Sequence, residues 1–203
     1  MFGDPVTNPK GWKVTIVGLH ADILSGFPFE SSQYTASGIR ICGGLIIMQD
    51  SILWEECKYW TSLDGYEEYQ LEANDIVMAM DRPWISQGFK IAKIKGNVLP
   101  ALLIQRTARI RSSDINQEYL YNIFRHGGFD KHCNVTGSLV PHISINDIRS
   151  FRIMLPPFSL QNQFADFAQA VEFQKSLLQQ SLVKMELNYK SLMKKCFTME
   201  VFK

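Results

Sequence analysis

The chain has no run of 18 consecutive apolar residues, so it contains no candidate membrane-spanning helix. Its opening, Met1-Phe2-Gly3-Asp4-Pro5, lacks the basic-then-apolar order of a signal peptide, and none is expected. Its four cysteines, Cys42, Cys57, Cys133 and Cys196, form no Cys-x-x-Cys pair, which predicts free thiols in a reducing cytoplasm. A zinc site drawing on His126, His132 and Cys133 would have irregular spacing and no second ligand pair. No Walker loop and no Gly-x-Ser-x-Gly elbow is present. The histidines His20, His126, His132 and His142 have no neighbours that compose a catalytic triad. Two further absences are positional: there is no Asp or Glu from Arg82 to Arg111, and no Gly or Pro from Leu160 to Phe197.

What is present fits a globular protein. The 203 residues, 46% apolar and 20% charged, allow one domain or one domain with an extension. The net charge of +1 conceals an asymmetry. Residues 1–70 carry 4 basic and 9 acidic side chains, a net of −5; residues 71–155 carry 11 and 7, a net of +4; residues 156–203 carry 6 and 4, a net of +2. Such asymmetry can mark a polyanionic partner.

Residues 1–11 are rich in Gly, Pro and Asn and are expected to form a linker. A globular domain is expected over 12–157, of α+β class and built on a twisted mixed sheet, and a dimerising helix over 158–203. Strand patterns cover Trp12–Val17, the apolar run Ile39–Met48 with a turn or bulge at Gly43-Gly44, Ile76–Met80, Ile91–Lys95, Leu102–Ile110, Val140–Ile143 and Phe151–Leu155. Residues 49–70 look like an acidic, aromatic surface excursion, and Ser144–Asp147 like a turn. Asn116–Phe124 has helical spacing, and Pro156-Pro157 is a stop.

Beyond it, Ser159 is a candidate cap, and Phe164, Val171, Leu178, Met185 and Leu192 recur every seven residues, with Leu182, Tyr189 and others filling the adjoining seam. This repeat predicts one helix that carries its apolar stripe to a partner helix in a coiled coil, rather than packing along its own domain. Gln174, Ser181 and Asn188 occupy seam positions where polar residues set register.

The acid-free stretch contains Arg82, Lys90, Lys93, Lys95, Arg106, Arg109 and Arg111, with Trp84 and Phe89 among them and Ser86 and Gln87 adding polar groups. Cations attract phosphates irrespective of sequence, and Arg, Lys and Gln match base edges in the major groove. A solvated sheet face is the alternative. The cluster from Arg125 to Ser138, with Lys131 and Asn134, admits both a DNA-contacting loop and a connector. Leu155-Pro156-Pro157-Phe158 resembles an amino-methyltransferase motif, but Leu155 replaces the asparagine that would hold the target amine. Asp50 with Glu56-Cys57-Lys58 loosely matches a nuclease pattern of a kind that arises readily by chance.

A family resemblance spans nearly the whole chain. Met1 to Trp12, then Ser25-Gly26-Phe27-Pro28-Phe29 with Tyr34 and Gly38-Ile39-Arg40-Ile41, then Leu71 to Val77, resemble successive segments of type I restriction–modification specificity subunits. So do Leu103-Ile104-Gln105-Arg106, Val140 to Ser144, Ile153 to Pro157 with Gln161-Asn162-Gln163, and Leu192 to Phe197. Asn74 stands where the family has glycine, and Asn162 where it has glutamate. The resemblance implies a non-catalytic half-subunit with one target-recognition domain and one conserved helix. It would read half of a bipartite duplex DNA target and dock adenine-methyltransferase subunits, with the restriction subunit a further partner. Methyl donor, ATP and magnesium would belong to those partners, and the chain would need no cofactor of its own. The expected DNA contacts are Arg82, Trp84, Lys90, Lys93, Arg106, Arg109, Lys131 and Asn134, although Gln105 and Arg106 admit a structural role pinning sheet to helix. The helix would pair with a second copy or with another recognition half. The rival readings are an adaptor or decoy that occupies modification subunits without reading DNA, and a small nuclease.

Overall fold

The computed structural model describes residues 1–4, 7–86, 88–133 and 142–197. They fall into two units divided after Asn162. The strands of the first unit, in chain order, are β1 (Lys13–Ile16), β2 (Asp22–Ser25), β3 (Ile39–Cys42), β4 (Lys58–Trp60), β5 (Ile76–Ala79), β6 (Trp84–Ile85), β7 (Gly88–Phe89), β8 (Ile91–Lys93), β9 (Ala101–Leu103), β10 (Thr107–Arg111) and β11 (Arg152–Leu155). The α-helices are α1 (Gln117–His126), α2 (Phe129–His132), α3 (Ile145–Ser150) and α4 (Phe158–Phe197).

The fold is α+β, and its strands are spread over four small sheets rather than one. The largest is antiparallel in the order β2-β10-β5-β8. Every residue of β5 is buried, so its run Ile76-Val77-Met78-Ala79 packs on both faces and does not alternate. The second sheet, β4-β3-β9, is mixed because β3 and β9 run parallel. β1 pairs with β11, and β6 with β7.

Three local expectations are corrected. Leu102–Ile110 is two strands, with a turn at Gln105-Arg106 between β9 and β10. Gly26 accounts for the break: a Cβ there would lie 2.1 Å from the Ile104 carbonyl oxygen, so only glycine lets the incoming chain cross this close. The crossing is bonded on both sides, by Phe27 N–H to Leu103 O at 3.0 Å and Gln105 N–H to Phe27 O at 2.8 Å.

Residues 49–70 are not a mere excursion. They supply β4 and an aromatic cluster in which Trp60 lies 4.6 Å from Phe29, and Tyr66 and Tyr69 lie 5.0 and 5.3 Å from Phe27. Each such pair adds about 0.5–1.5 kcal/mol beyond its buried area.

Ser144–Asp147 opens a helix instead of making a turn. The Ser144 hydroxyl accepts from the Asp147 amide at 3.1 Å, and the Asp147 carboxylate accepts from the Ser144 amide at 2.7 Å, a reciprocal cap for α3.

α1 is capped by Asn116, whose side chain accepts from the amides of Glu118 and Tyr119 at 2.9 and 3.2 Å. Its apolar face, Tyr119, Leu120 and Phe124, is fully buried. The segment expected to be a linker is held down at Phe2, whose ring meets Tyr119 edge-on at 4.9 Å and whose carbonyl accepts from the Trp12 indole at 3.0 Å. α4 begins at Phe158, so Ser159 lies inside it; the Pro157 carbonyl accepts from the amides of Leu160 and Gln161. The buried Gln161 amide fastens this first turn, accepting from Asn116 N–H and donating to Pro156 O, both at 2.9 Å.

The second unit is the remainder of α4. The helix has 40 residues, about 60 Å at 1.5 Å per residue. Val171, Leu178, Leu182, Met185, Tyr189 and Leu192 are all exposed along it, while Phe164 is half-buried. No helix among the described residues is long and apolar enough to cross a membrane.

Candidate nucleic-acid interface

Three turns of the first unit line one cleft of about 700 Å³. Gly43 to Ile46 follow β3, Asp81-Arg82 follow β5, and Gln105-Arg106 join β9 to β10. Lys90, next to β7, forms part of its lining, and Glu56, just before β4, and Lys58, the first residue of β4, lie at its side. The cleft is therefore built where strands end, so its side chains are held by backbone that the core already fixes.

Two of those turn residues have a left-handed backbone: Arg82 at φ 46° and Arg106 at φ 62°. Among the described residues, the other non-glycine residues with positive φ are Asn8, Asp50 and Asn74, types whose short polar side chains favour this conformation. Arginine has no such local compensation, and the left-handed form costs it about 1–2 kcal/mol. Such backbone outliers cluster at functional sites. Here both fall on exposed cations in the same cleft.

Asp81 orients the arginine side. Its carboxylate accepts from Arg106 Nη1 at 3.0 Å, and its other oxygen lies 2.6 Å from His142 Nδ1. The Arg106 side chain nevertheless keeps 72% of its surface in solvent. Lys90 plays the opposite part: it is buried and donates to the Gly44 carbonyl, pinning the turn after β3. Burial, and then the charge of Arg82, pull its ammonium below the ordinary lysine pKa.

The expected contact residues therefore separate. Arg82, Lys90 and Arg106 share the cleft. Trp84 stacks on Phe89 at 5.3 Å across the β6–β7 ribbon, and Phe89 meets Phe129 of α2 at 5.8 Å, so Trp84 and the exposed Lys131 belong to neighbouring elements. Arg109 is only 5% exposed; it pairs with Asp22 and donates to the Glu68 carbonyl at 3.0 Å. Lys93 pairs with Glu118 and lies over the Tyr121 ring. Arg111 is held by Asp75 and Glu72. Acids distant in sequence thus neutralise much of the acid-free run. Asn134 and Gln87 lie outside the described residues. Gln105 is exposed on its turn, and its side chain does not pin sheet to helix in any described contact.

Sequence reasoning passed over Leu45 and Asp81, and weighed Lys58 only in a nuclease-like pattern and His142 only as a triad candidate. Gly43-Gly44 was the available signal for Leu45, since a tight turn presents the residue that follows it. The nuclease-like residues are not assembled: Glu56 and Lys58 line the cleft, whereas Asp50 is bound by the Tyr121 hydroxyl at 2.6 Å and by Arg125 at 2.5 Å. Among the described residues, no three His, Cys, Asp or Glu side chains are grouped to hold a metal.

No family model matches the chain. Two curated proteins do. The specificity subunit of the type I restriction enzyme EcoAI of Escherichia coli is 29% identical over 167 residues, 78% of this chain and 28% of the relative. The specificity subunit of the type I restriction enzyme MjaVIII of Methanocaldococcus jannaschii is 26% identical over 170 residues, 81% of this chain and 40% of the relative. The chain thus spans well under half the length of either.

Solved structures agree in fold. A chain from a study of complex assembly and conformational transition in the type I R-M system superposes with a TM-score of 0.65 at 16% identity, over 91% of this chain and 44% of that one. The HsdS subunit of Thermoanaerobacter tengcongensis superposes with a TM-score of 0.59, also at 16% identity, over 85% of this chain and 40% of that one. In sequence the chain is similar to specificity subunits of type I restriction enzymes, and in fold to solved type I R-M chains, over an extent consistent with a single recognition domain.

Proposed function

We propose that the chain is the non-catalytic DNA-recognition component of a type I restriction–modification system, and that it reads one half of a bipartite duplex target through the cleft around Arg82 and Arg106. The observation that carries this reading is the placement of two exposed, left-handed arginines in one cleft, on a fold shared with specificity subunits. Exposed guanidinium groups on rigid turns suit both phosphate contact and bidentate readout of guanine in the major groove. Trp84 and Lys131 extend the same surface in this reading, while Lys90, Lys93 and Arg109 support it from within.

The exposed heptad stripe of α4 supports pairing with a second helix, from another copy or another recognition half, and docking of adenine-methyltransferase subunits on the assembly. Methyl donor, ATP and magnesium are then the partners' requirements, and the complex works in the cytoplasm.

Methylome sequencing of the source cell with and without the gene tests the proposal. Loss of N6-methyladenine from one interrupted motif is the expected result. A palindromic motif would identify a symmetric pair of identical halves, and an asymmetric one a pair of different halves. Unchanged methylation, together with no salt-sensitive DNA binding by the purified chain, would favour the adaptor reading instead.

The two kinds of cation also make a testable contrast. The Lys93 ammonium is committed to Glu118, whose side chain is only 11% exposed. Lys93→Ala is expected to lower the urea midpoint and to leave the slope of log Kd against log salt unchanged. A slope flattened by about one unit would return Lys93 to the phosphate contacts.

A further inference from the structure

Leu45 is 87% exposed, the highest value among the large apolar side chains described. A lone exposed leucine ordinarily needs no explanation, but this one is not on a loose loop. The residue before it is fixed by the buried Lys90 ammonium on the Gly44 carbonyl. The residue after it, Ile46, is buried; its amide donates to Gly43 O at 3.1 Å and its carbonyl accepts from Leu53 N–H at 2.9 Å. Leu45 is therefore a rigidly presented isobutyl group between two anchored neighbours. It lines the same cleft as Arg82, Gln105, Arg106 and Lys58.

Beside Leu45 the cleft presents Arg82, Lys58 and Gln105, with Glu56 and the Arg106–Asp81 pair completing its polar lining. An apolar protein groove seated on Leu45 would desolvate Arg82 and Lys58 without supplying them partners. The cleft does match the major groove of duplex DNA. There phosphates meet the cations, guanine and adenine edges meet Arg and Gln, and the thymine 5-methyl is the one apolar feature on any base edge. We infer that Leu45 is a specificity-determining residue that packs on a thymine 5-methyl group within the half-site. This rests on the DNA-reading proposal and adds one base to it.

Deoxyuridine differs from thymidine only by that methyl, which makes a clean probe. The full chain first selects duplexes from a randomised library. Each thymine of the selected half-site is then replaced singly by deoxyuridine, and binding is measured by fluorescence anisotropy for the parent and for Leu45→Ala. One position is expected at which deoxyuridine weakens the parent about fourfold, the factor for burying one methyl group, and at which Leu45→Ala shows no penalty. Equal penalties in both proteins at every position would overturn the inference while leaving DNA reading intact. So would uniform weakening by Leu45→Ala accompanied by loss of a DNA bend, which would mark a wedge between base steps. Failure of the chain to select any duplex would overturn the DNA-reading proposal itself, and this inference with it.

Discussion

Arg111→Met is expected to lower the unfolding free energy by about 3–5 kcal/mol, the usual cost of orphaning one partner of a buried ion pair. The Asp75 side chain is 1% exposed. It receives Arg111 Nε and Nη2 at 2.6 and 2.7 Å and the Glu72 amide at 2.7 Å, so three charge-assisted bonds offset its desolvation. Removing the guanidinium leaves a carboxylate in the core with a single backbone donor. The loss is a large share of the 5–15 kcal/mol by which such domains are stable. Because the penalty belongs to the stranded charge, Asp75→Asn combined with Arg111→Met should recover most of it. Urea unfolding of the parent, both single variants and the double variant measures this. A single-variant loss under about 1 kcal/mol, or a double variant no better than Arg111→Met, would mean that Asp75 is not the dependent group.

The opposite signature is expected at the cleft. Arg82→Gly and Arg106→Gly should each weaken DNA binding roughly 10- to 100-fold, the range for losing one bidentate base or phosphate contact. Their stability should stay within about 1 kcal/mol of the parent. Glycine removes the strain of about 1–2 kcal/mol that a left-handed arginine carries, which offsets the entropy of the added glycine and, at Arg106, the exposed pair with Asp81. Binding isotherms at fixed salt and thermal unfolding of the same samples separate the two effects. An arginine placed for structure would show the reverse, a lower melting temperature with affinity intact.

The contrast between Arg111 and Arg106 shows how far the sequence could be read. Elements held by local interactions were legible: the helical spacing of Asn116–Phe124 is α1, β11 leads through Pro156-Pro157, and a long Gly- and Pro-free heptad run is α4. The start of α3 was misread as a turn although Ser144 and Asp147 have capping-box spacing, because the helix they open is only 6 residues long. The turn at Gln105-Arg106 had no Gly, Pro or Asn to announce it, because a chain segment around Gly26, some eighty residues earlier in the sequence, creates it. The acid-free run misled for the same reason. Charge was summed along the chain, whereas Arg109 is balanced by Asp22 and Arg111 by Asp75, partners that only strand pairing brings near. Of the residues expected to touch DNA, those in strand turns kept their solvent access and those within or beside the sheets, such as Arg109, Lys93 and Lys90, became part of the frame.

That division has a consequence for how such a domain changes its target. Leu45, Arg82, Gln105 and Arg106 all sit on turns and add no buried side chain to the core, while Gly26 and Lys90 hold two of those turns from beneath. Selection can therefore explore new alphabets at four positions without touching the elements that make the chain fold. Under the proposed function, a change of target would then draw little on the stability margin that limits most substitutions, because only a few turn residues on a retained frame would need to change.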